Sequence, residues 1–545
     1  MKQEVSRTKL LKYLLVIKWQ LTGFYLILAD KGKSGSMRRY FSCLLCLLLL
    51  NRGGAQVLPK EGSEVNYRII GFSVPTKSDA QDYYLQVANG HYRFVDSFSR
   101  NIIFSTHARK NKTIAEVPSF GTEYTWRISY CVNGKDTIYG ELHHFRTGES
   151  DFTDSTKTRM RIMKHSQKYS ADYVFLDCAK ALYDMNGKPV WYLPEAMGYE
   201  TEPIDLKNTN FGTITFICNE QIFEVNYNGD TLWSGPDDGK VNGEKREHYH
   251  HEFTRLESGN YMALGMQYVP SETRDQAAMT NNRAGNANQD TPKPQLFFGT
   301  LAEYDAKGNL VWSWKASEHF MNSEYVNDKS YSENNAVLHE NSFYFDERNR
   351  AIYISCKDLG MIVKVKYPEG NVLACYGHQI HNGIAPVENG MFCGQHSVRE
   401  TQEGYLSVYN NRGCGPARVL PSVVLLEEPK GKGNVKKIWE YICTADGLDI
   451  GDVLTRHVEN LKGKPLSGGQ TVGGGAMELP DRSVFVAMGG PFCKLLIVSR
   501  EKKELWSALP EKWDADEKKW KAYGRYRASV ISRADLEQLI WTAEK

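Results

Sequence analysis

Leu301-Ala-Glu-Tyr-Asp-Ala-Lys-Gly-Asn-Leu-Val-Trp312 is an apolar strand, a Lys-Gly-Asn turn and a second strand ending on tryptophan. The short β-prone runs either side of a glycine turn describe a hairpin. The same pattern recurs at Ala181 to Trp191, Ile222 to Trp233, Met361 to Cys375, Val423 to Trp439 and Leu495 to Trp506. A second hairpin precedes several copies, as in Leu256-Glu-Ser-Gly-Asn-Tyr-Met-Ala-Leu and Thr401-Gln-Glu-Gly-Tyr-Leu-Ser-Val-Tyr. Two hairpins make four strands, a unit that cannot bury both faces alone and must stack on its neighbours. Six copies, about 40 to 80 residues apart, predict an all-β fold with a six-bladed β-propeller over residues 160–545. The alternative is a set of unrelated hairpins. The largest insertion, Gln267 to Pro294, is rich in Asn, Asp, Gln and Ala and predicts a loop over one face. Which strand closes the ring does not follow from the repeat.

Upstream, residues 60–148 carry short alternating runs such as Asp82-Tyr-Tyr-Leu-Gln-Val and Tyr124-Thr-Trp-Arg-Ile-Ser-Tyr between turn signals. They predict a small β-sandwich resembling a fibronectin type III or immunoglobulin-like domain. Glu149 to Thr158 is polar and predicts a linker. Further upstream, Met37-Arg-Arg, the apolar run Phe41 to Leu50, and Gly53 and Ala55 have the layout of a secretory signal peptide over 37–55. Met37 is then the expected initiator and residues 1–36 an upstream over-read. The stretch Leu10 to Ala29 is broken by Lys12, Lys18 and Gln20 and makes a poor membrane span. The mature protein is therefore expected to be exported, periplasmic or secreted, without a membrane span. An uncleaved N-terminal anchor is the alternative.

Composition narrows the function classes. A net charge of +2 with both signs mixed along the chain offers no basic face for nucleic acid. Of the 11 cysteines, only Cys43 and Cys46 fall in the leader. Neither follows the small residues of a lipid-attachment site. The rest are scattered without a C-x-x-C pair, which argues against structural zinc. Export would permit disulfides, and Cys375 with Cys393 is one candidate pair.

Histidine spacing points to chemistry. His251 lies eight residues before Gly259, and His396 lies eight before Gly404. Both therefore start an inner strand of their repeats, and His339 sits similarly. Inner strands line the axis of a propeller, so the three converge on one volume. A lone buried histidine is usually structural, and three could ligate a metal. Asn341, two positions past His339 and so on the same strand face, and Lys357, which ends Tyr353-Ile-Ser-Cys-Lys, instead suit an anionic group. No metal and no cofactor is expected.

The segments His250-His-Glu-Phe, Leu338-His-Glu-Asn-Ser, Ile354-Ser-Cys-Lys, Gly394-Gln-His and Tyr526-Arg-Ala resemble the bacterial aryl sulfate sulfotransferases, in the same order along the chain. The resemblance implies sulfuryl transfer from a phenolic sulfate ester to a phenol without phosphoadenosine-phosphosulfate, in a ping-pong scheme through a sulfated histidine. It implies His396 as nucleophile, and His251, His339, Asn341 and Lys357 around the sulfuryl oxygens. Thr471, Tyr526 and Arg527 are expected to border the acceptor pocket, or else to serve ordinary packing. The family usually has arginine where Lys357 stands, and lysine lacks the bidentate fork. The family often has an acidic residue where Ser397 stands. The expected partners are small phenolic donors and acceptors, and the reading leaves room for a homodimer. A hydrolase or lyase using the same channel and a non-catalytic glycan- or protein-binding propeller are the alternatives.

Overall fold

The structure, a computed structural model, describes residues 57–108, 110–194, 203–270, 295–321, 338–357, 359–377, 391–411, 420–444, 473–490, 492–524 and 526–543. The over-read at 1–36, the signal peptide at 37–55 and Thr471 lie outside the described residues.

The fold is nearly all β. Five four-stranded antiparallel sheets and a sixth sheet of six strands account for most of it. The second comprises Ile204–Asn208, Ile214–Cys218, Gln221–Val225 and Thr231–Ser234. The third runs Tyr249–Arg255, Tyr261–Pro270, Gln295–Tyr304 and Leu310–Lys315, and the fourth Glu340–Asp346, Ala351–Cys356, Met361–Lys366 and Val372–Gly377. The fifth has His396–Glu400, Leu406–Asn410, Ser422–Glu427 and Lys436–Ile442. The sixth has Gly475–Glu478, Val484–Ala487, Leu495–Val498 and Glu504–Asp514, with Thr158–Lys164 and Lys519–Ala522 added along the last. The first sheet is composite. Tyr173–Leu176, Ala181–Asp184 and Pro189–Tyr192 are consecutive, but its remaining strand is Ala528–Ile531 from the far end of the chain. Each repeat copy found in the sequence is the third and fourth strand of one sheet. In every sheet the strand at the opposite edge touches the neighbouring sheet, and the sixth sheet touches the first through Ala528–Ile531.

The recurrent tryptophan has a physical reason. Trp191 of the first sheet donates from its indole nitrogen to the Tyr227 carbonyl, in the outer turn of the second, at 2.7 Å. Trp312 and Trp314 of the third sheet reach the Pro368 and Gly370 carbonyls of the fourth at 2.8 and 3.0 Å. Trp439 of the fifth reaches Arg500 of the sixth at 2.7 Å, and Trp506 of the sixth reaches Met185 of the first at 3.0 Å. Each indole thus fills space between two sheets while its N–H satisfies a turn carbonyl. Trp233, on the second sheet, instead stacks on Tyr261 of the third at 3.8 Å.

Residues before Thr158 form a sheet in the order Ser63–Val65, His143–Thr147, Glu123–Val132, Ala80–Asn89, Ile102–Ala108, and a separate pair, Ile69–Ser73 with Lys112–Glu116. Phe72 of the pair meets Trp126 and Phe145 of the larger sheet edge-on at 5.2 and 5.9 Å. Their core continues into Trp191, Tyr227 and the C-terminal helix Arg533–Thr542 through Leu536, Leu539 and Ile540. Ser532 and Asp535 close a capping box at the start of that helix.

Two sequence expectations change. Cys375 is a free, exposed thiol and Cys393 is disulfide-bonded elsewhere, so these two do not pair. Cys375 lies on the outermost strand of its sheet, Val372–Gly377, which the spacing between the cysteines did not reveal. The insertion also starts later than expected: Gln267 to Pro270 pair in register with Gln295 to Phe298. The strand pair simply extends past the sheet edge before residues 271–294.

Candidate active site

Most of the candidate residues sit at or near the start of the edge strands that touch the neighbouring sheets. The backbone there turns left-handed at Asp205, His251, His339 and Ser397, with φ of 58°, 62°, 56° and 56°. The pairing register slips beside each of them. Such conformations cost about 1–3 kcal/mol per non-glycine residue and persist where the surroundings impose them. A bulge re-aims the side chain that follows or carries it. The same distortion recurs in four sheets: at His251 and His339 it turns the side chains toward a shared volume, whereas Asp205 and Ser397 line a separate cavity.

Three histidines and a tyrosine meet in that volume. The His251 and His339 rings lie 5.9 Å apart, centre to centre. Tyr526 lies 5.5 Å from His251 and 6.3 Å from His396, edge-on to both. Burial raises the Tyr526 hydroxyl pKa even though Arg527 opposes the shift, so the phenol stays protonated. Lys357 falls just past its strand, in a turn where its N–H donates to the His339 carbonyl at 2.9 Å.

His396 is buried and its ring is fixed from behind. Its Nδ1 lies 2.9 Å from Asn411 Oδ1, and Asn411 Nδ2 donates to the Gly473 carbonyl at 3.1 Å. A carbonyl can only accept, so Gly473 sets which end of the Asn411 amide is nitrogen. Asn411 Oδ1 must then accept from His396, which puts the hydrogen on Nδ1 and leaves the lone pair on Nε2. Burial, the Lys357 charge and the Arg527 charge hold the imidazole well below its ordinary value, although the Asn411 bond opposes the shift. Gln395 anchors the preceding residue: its side chain donates to the Cys356 and Met361 carbonyls at 3.1 and 3.0 Å.

Asn341 belongs to that anchor as much as to the pocket. Its Nδ2 donates to the Gln395 carbonyl at 2.8 Å, which commits one of its two hydrogens. Its Oδ1 is buried and closes no hydrogen bond among the described residues. Arg527 is committed more fully. Its guanidinium bonds Asp205 at 2.9 Å, Glu252, and the Asn341 carbonyl at 3.1 Å, while its backbone N–H bonds Asp177 at 2.8 Å. Lys207 and Arg399 complete the lattice, each bonding Glu252, at 2.9 and 2.7 Å. Burial opposes the Glu252 charge, but Arg399, Arg527 and Lys207 outweigh it and keep the carboxyl below its ordinary range. Asp177, buried and near Asp205, is pushed up to about 7. A cavity of about 330 Å³ lies against Arg527, lined also by Lys207, Ser397, Arg399, Met477 and Ser529 and by none of the histidines.

The structure therefore brings His251, His339, His396 and Tyr526 together, with Lys357 and Asn341 beside them. It places Arg527 in an ion network behind them. Sequence reasoning missed Asn411, His250 and the Asp205–Glu252 pair. His250 stood in the quoted motif, and its Nδ1 lies 2.6 Å from that of His251. Asn411 and Asp205 carried no spacing signal. Among the described residues no three His, Cys, Asp or Glu side chains gather in a metal-binding arrangement. No helix among them is long and apolar enough to cross a membrane.

Residues 148–418 match the arylsulfotransferase family model, a span that holds His251, His339, Asn341, Lys357, His396 and Asn411. No curated protein matches the chain. Among solved structures, a protein of unknown function from Bacteroides caccae aligns at 11% identity over 69% of this chain and 99% of its own, with a TM-score of 0.36. A putative 6-phosphogluconolactonase from Bacteroides fragilis aligns at 10% identity over 84% and 99%, with a TM-score of 0.26. Likenesses this distant carry no weight for fold or function.

Proposed function

We propose, from the premise that this chain belongs to the arylsulfotransferase family, that it moves a sulfuryl group from a phenolic sulfate ester to a phenol through a sulfated His396. The observation that carries this reading is the hydrogen bond from His396 Nδ1 to Asn411. It leaves a neutral imidazole with its Nε2 lone pair available, which is the form a nucleophile needs. In the first half-reaction Nε2 bonds to sulfur and the bond from sulfur to the donor phenol oxygen breaks. The leaving phenolate and the sulfuryl oxygens carry negative charge, which Lys357 opposes with a cation and His251 and His339 meet with ring N–H groups. In the second half-reaction an acceptor phenol loses its proton and attacks sulfur, which returns His396. Asn341 contributes its remaining amide hydrogen. Lysine at 357 makes a single-point contact, so the sulfuryl group is held less rigidly than an arginine fork would hold it.

The same reading takes the six sheets as blades of a six-bladed β-propeller and the two sheets before Thr158 as a β-sandwich. The sheet-to-sheet contacts, including the one from the sixth to the first, support it. Export through the 37–55 leader is supported by the disulfide at Cys393, since disulfides persist in oxidising compartments. The test is turnover of a phenyl sulfate donor with and without an acceptor phenol. Transfer predicts that acceptor raises phenol release and that the acceptor appears sulfated. Release independent of acceptor, with free sulfate as product, would make the protein a hydrolase instead.

A further inference from the structure

The ping-pong reading leaves the phenol protons unassigned, and the pair His250–His251 bears on them. The two side chains face each other through Nδ1 atoms 2.6 Å apart, with their rings edge-on at a centroid distance of 4.7 Å. Adjacent residues of a strand normally point to opposite faces. They meet here because His251 is left-handed at φ 62°. A contact of that length between two imidazole nitrogens holds one hydrogen: one ring donates and the other accepts. His250 Nε2 is buried and closes no hydrogen bond among the described residues. Within electrostatic reach of His250 stands an exposed pair, His248 Nδ1 on Glu220 at 2.8 Å, with Arg246 on the same carboxylate at 3.0 Å.

We propose that His250 is a positioning residue that carries protons between His251 and solvent, and that the two half-reactions switch the histidine pair between its two neutral tautomers. This rests on the sulfuryl-transfer reading of the same site. In one state His251 has hydrogen on Nδ1 and a bare Nε2, and His250 has hydrogen on Nε2. The acceptor phenol gives its proton to His251 Nε2, the shared hydrogen shifts to His250 Nδ1, and His250 releases its Nε2 hydrogen outward through water. The pair then holds hydrogen on His251 Nε2 and on His250 Nδ1. In the next donor half-reaction a solvent proton enters at His250 Nε2, the shared hydrogen returns, and His251 Nε2 protonates the departing phenolate. Each turnover takes in one proton and releases one, and neither ring stays charged.

The electrostatics agree. Burial lowers His250 to about 4 against the pull of the Gly265 carbonyl, and His339 and His248 lower it further while Glu220 opposes them. Burial, His250, His339, His396 and Arg527 keep His251 well below its ordinary value. Both rings are therefore neutral at pH 7, as tautomer switching requires.

The test combines a variant with a measurement on the unmodified protein. His250→Gln should slow phenol release from phenyl sulfate, and sulfuryl transfer to phenol, at least tenfold. The p-nitrophenol burst from p-nitrophenyl sulfate should fall no more than twofold, because that leaving group departs as its anion. A structural role would slow all three alike, and equal slowing overturns the proposal, as does a variant that matches the unmodified protein on phenyl sulfate. In mixtures of light and heavy water, the unmodified protein should show a curved rate dependence for transfer to phenol, the mark of more than one proton in flight. A linear dependence also overturns it. Absence of any burst from the unmodified protein would instead remove the sulfohistidine reading itself.

Discussion

At His396 one hydrogen bond decides which nitrogen is available. Asn411→Leu removes the acceptor for Nδ1, so the ring can rotate and exchange tautomers. On the proposed mechanism kcat should fall about tenfold to a hundredfold while the protein stays folded, as losses of orienting partners generally do. Steady-state kinetics beside a melting curve check this. The buried histidines also make a stability prediction. His250 drops to about 4, and His251 and His396 lie well below 6.5. Between those values and 6.5 the unfolded chain binds protons that the folded chain refuses, so stability falls as pH drops from 6.5 toward 4. Thermal melts at pH 7 and pH 5 should show the loss, and a melting temperature that rises on acidification would contradict it. His251 and His396 were legible because each lies eight residues before a turn glycine, and His339 because it holds a similar place in its repeat. Asn411 was not, because it reaches His396 from the far end of the following strand and no period links them.

The outer strands depend on their tryptophans in different degrees. Trp506 is fully buried, and its indole bonds the Met185 carbonyl across the junction of the sixth and first sheets. Trp506→Phe leaves that carbonyl without its indole donor in a dry junction, and should cost about 1–3 kcal/mol. Trp312 makes the same kind of bond at an exposed site. There water replaces the indole, so Trp312→Phe should cost less than about 1 kcal/mol. Urea unfolding of the two variants checks the contrast, and equal losses would contradict it. The hairpins and the tryptophans that end most of them could be read directly, since each lies within one short stretch of chain. The carbonyl each indole meets lies in another sheet, beyond any local pattern. The bulges at Asp205, His251, His339 and Ser397 were equally hidden, because none of these residue types demands a left-handed backbone.

Across the whole molecule the buried ions tie distant segments together. Glu252 on the third sheet bonds Lys207 on the second, Arg399 on the fifth and Arg527 beside the first. Glu252→Gln removes the carboxylate that three cations share and leaves Asp205 alone to balance Lys207 and Arg527, and should cost about 3–5 kcal/mol at pH 7. Because the folded carboxyl sits below its ordinary value of 4.5, its contribution is present above that pH and is lost as acid protonates it. The unmodified protein should therefore lose its advantage over the variant as pH falls below 4.5, in parallel unfolding curves. This network engages Arg527, whose sequence neighbour Tyr526 faces the histidines. Nothing local to Tyr526-Arg-Ala indicates carboxylates more than 250 residues upstream. Closure of the first sheet by Ala528–Ile531 was hidden for the same reason, since its partner strand starts at Tyr173.

What joins these scales is the claim that His396 itself carries the sulfuryl group. Phenyl sulfate mixed with the protein in the absence of acceptor, quenched within the burst and mapped by peptide mass under alkaline conditions, tests it most directly. The account predicts an acid-labile gain of one sulfuryl group on the peptide containing His396, lost on addition of phenol and never formed in His396→Ala. Modification elsewhere, or turnover with His396 unmodified at every time point, would contradict it.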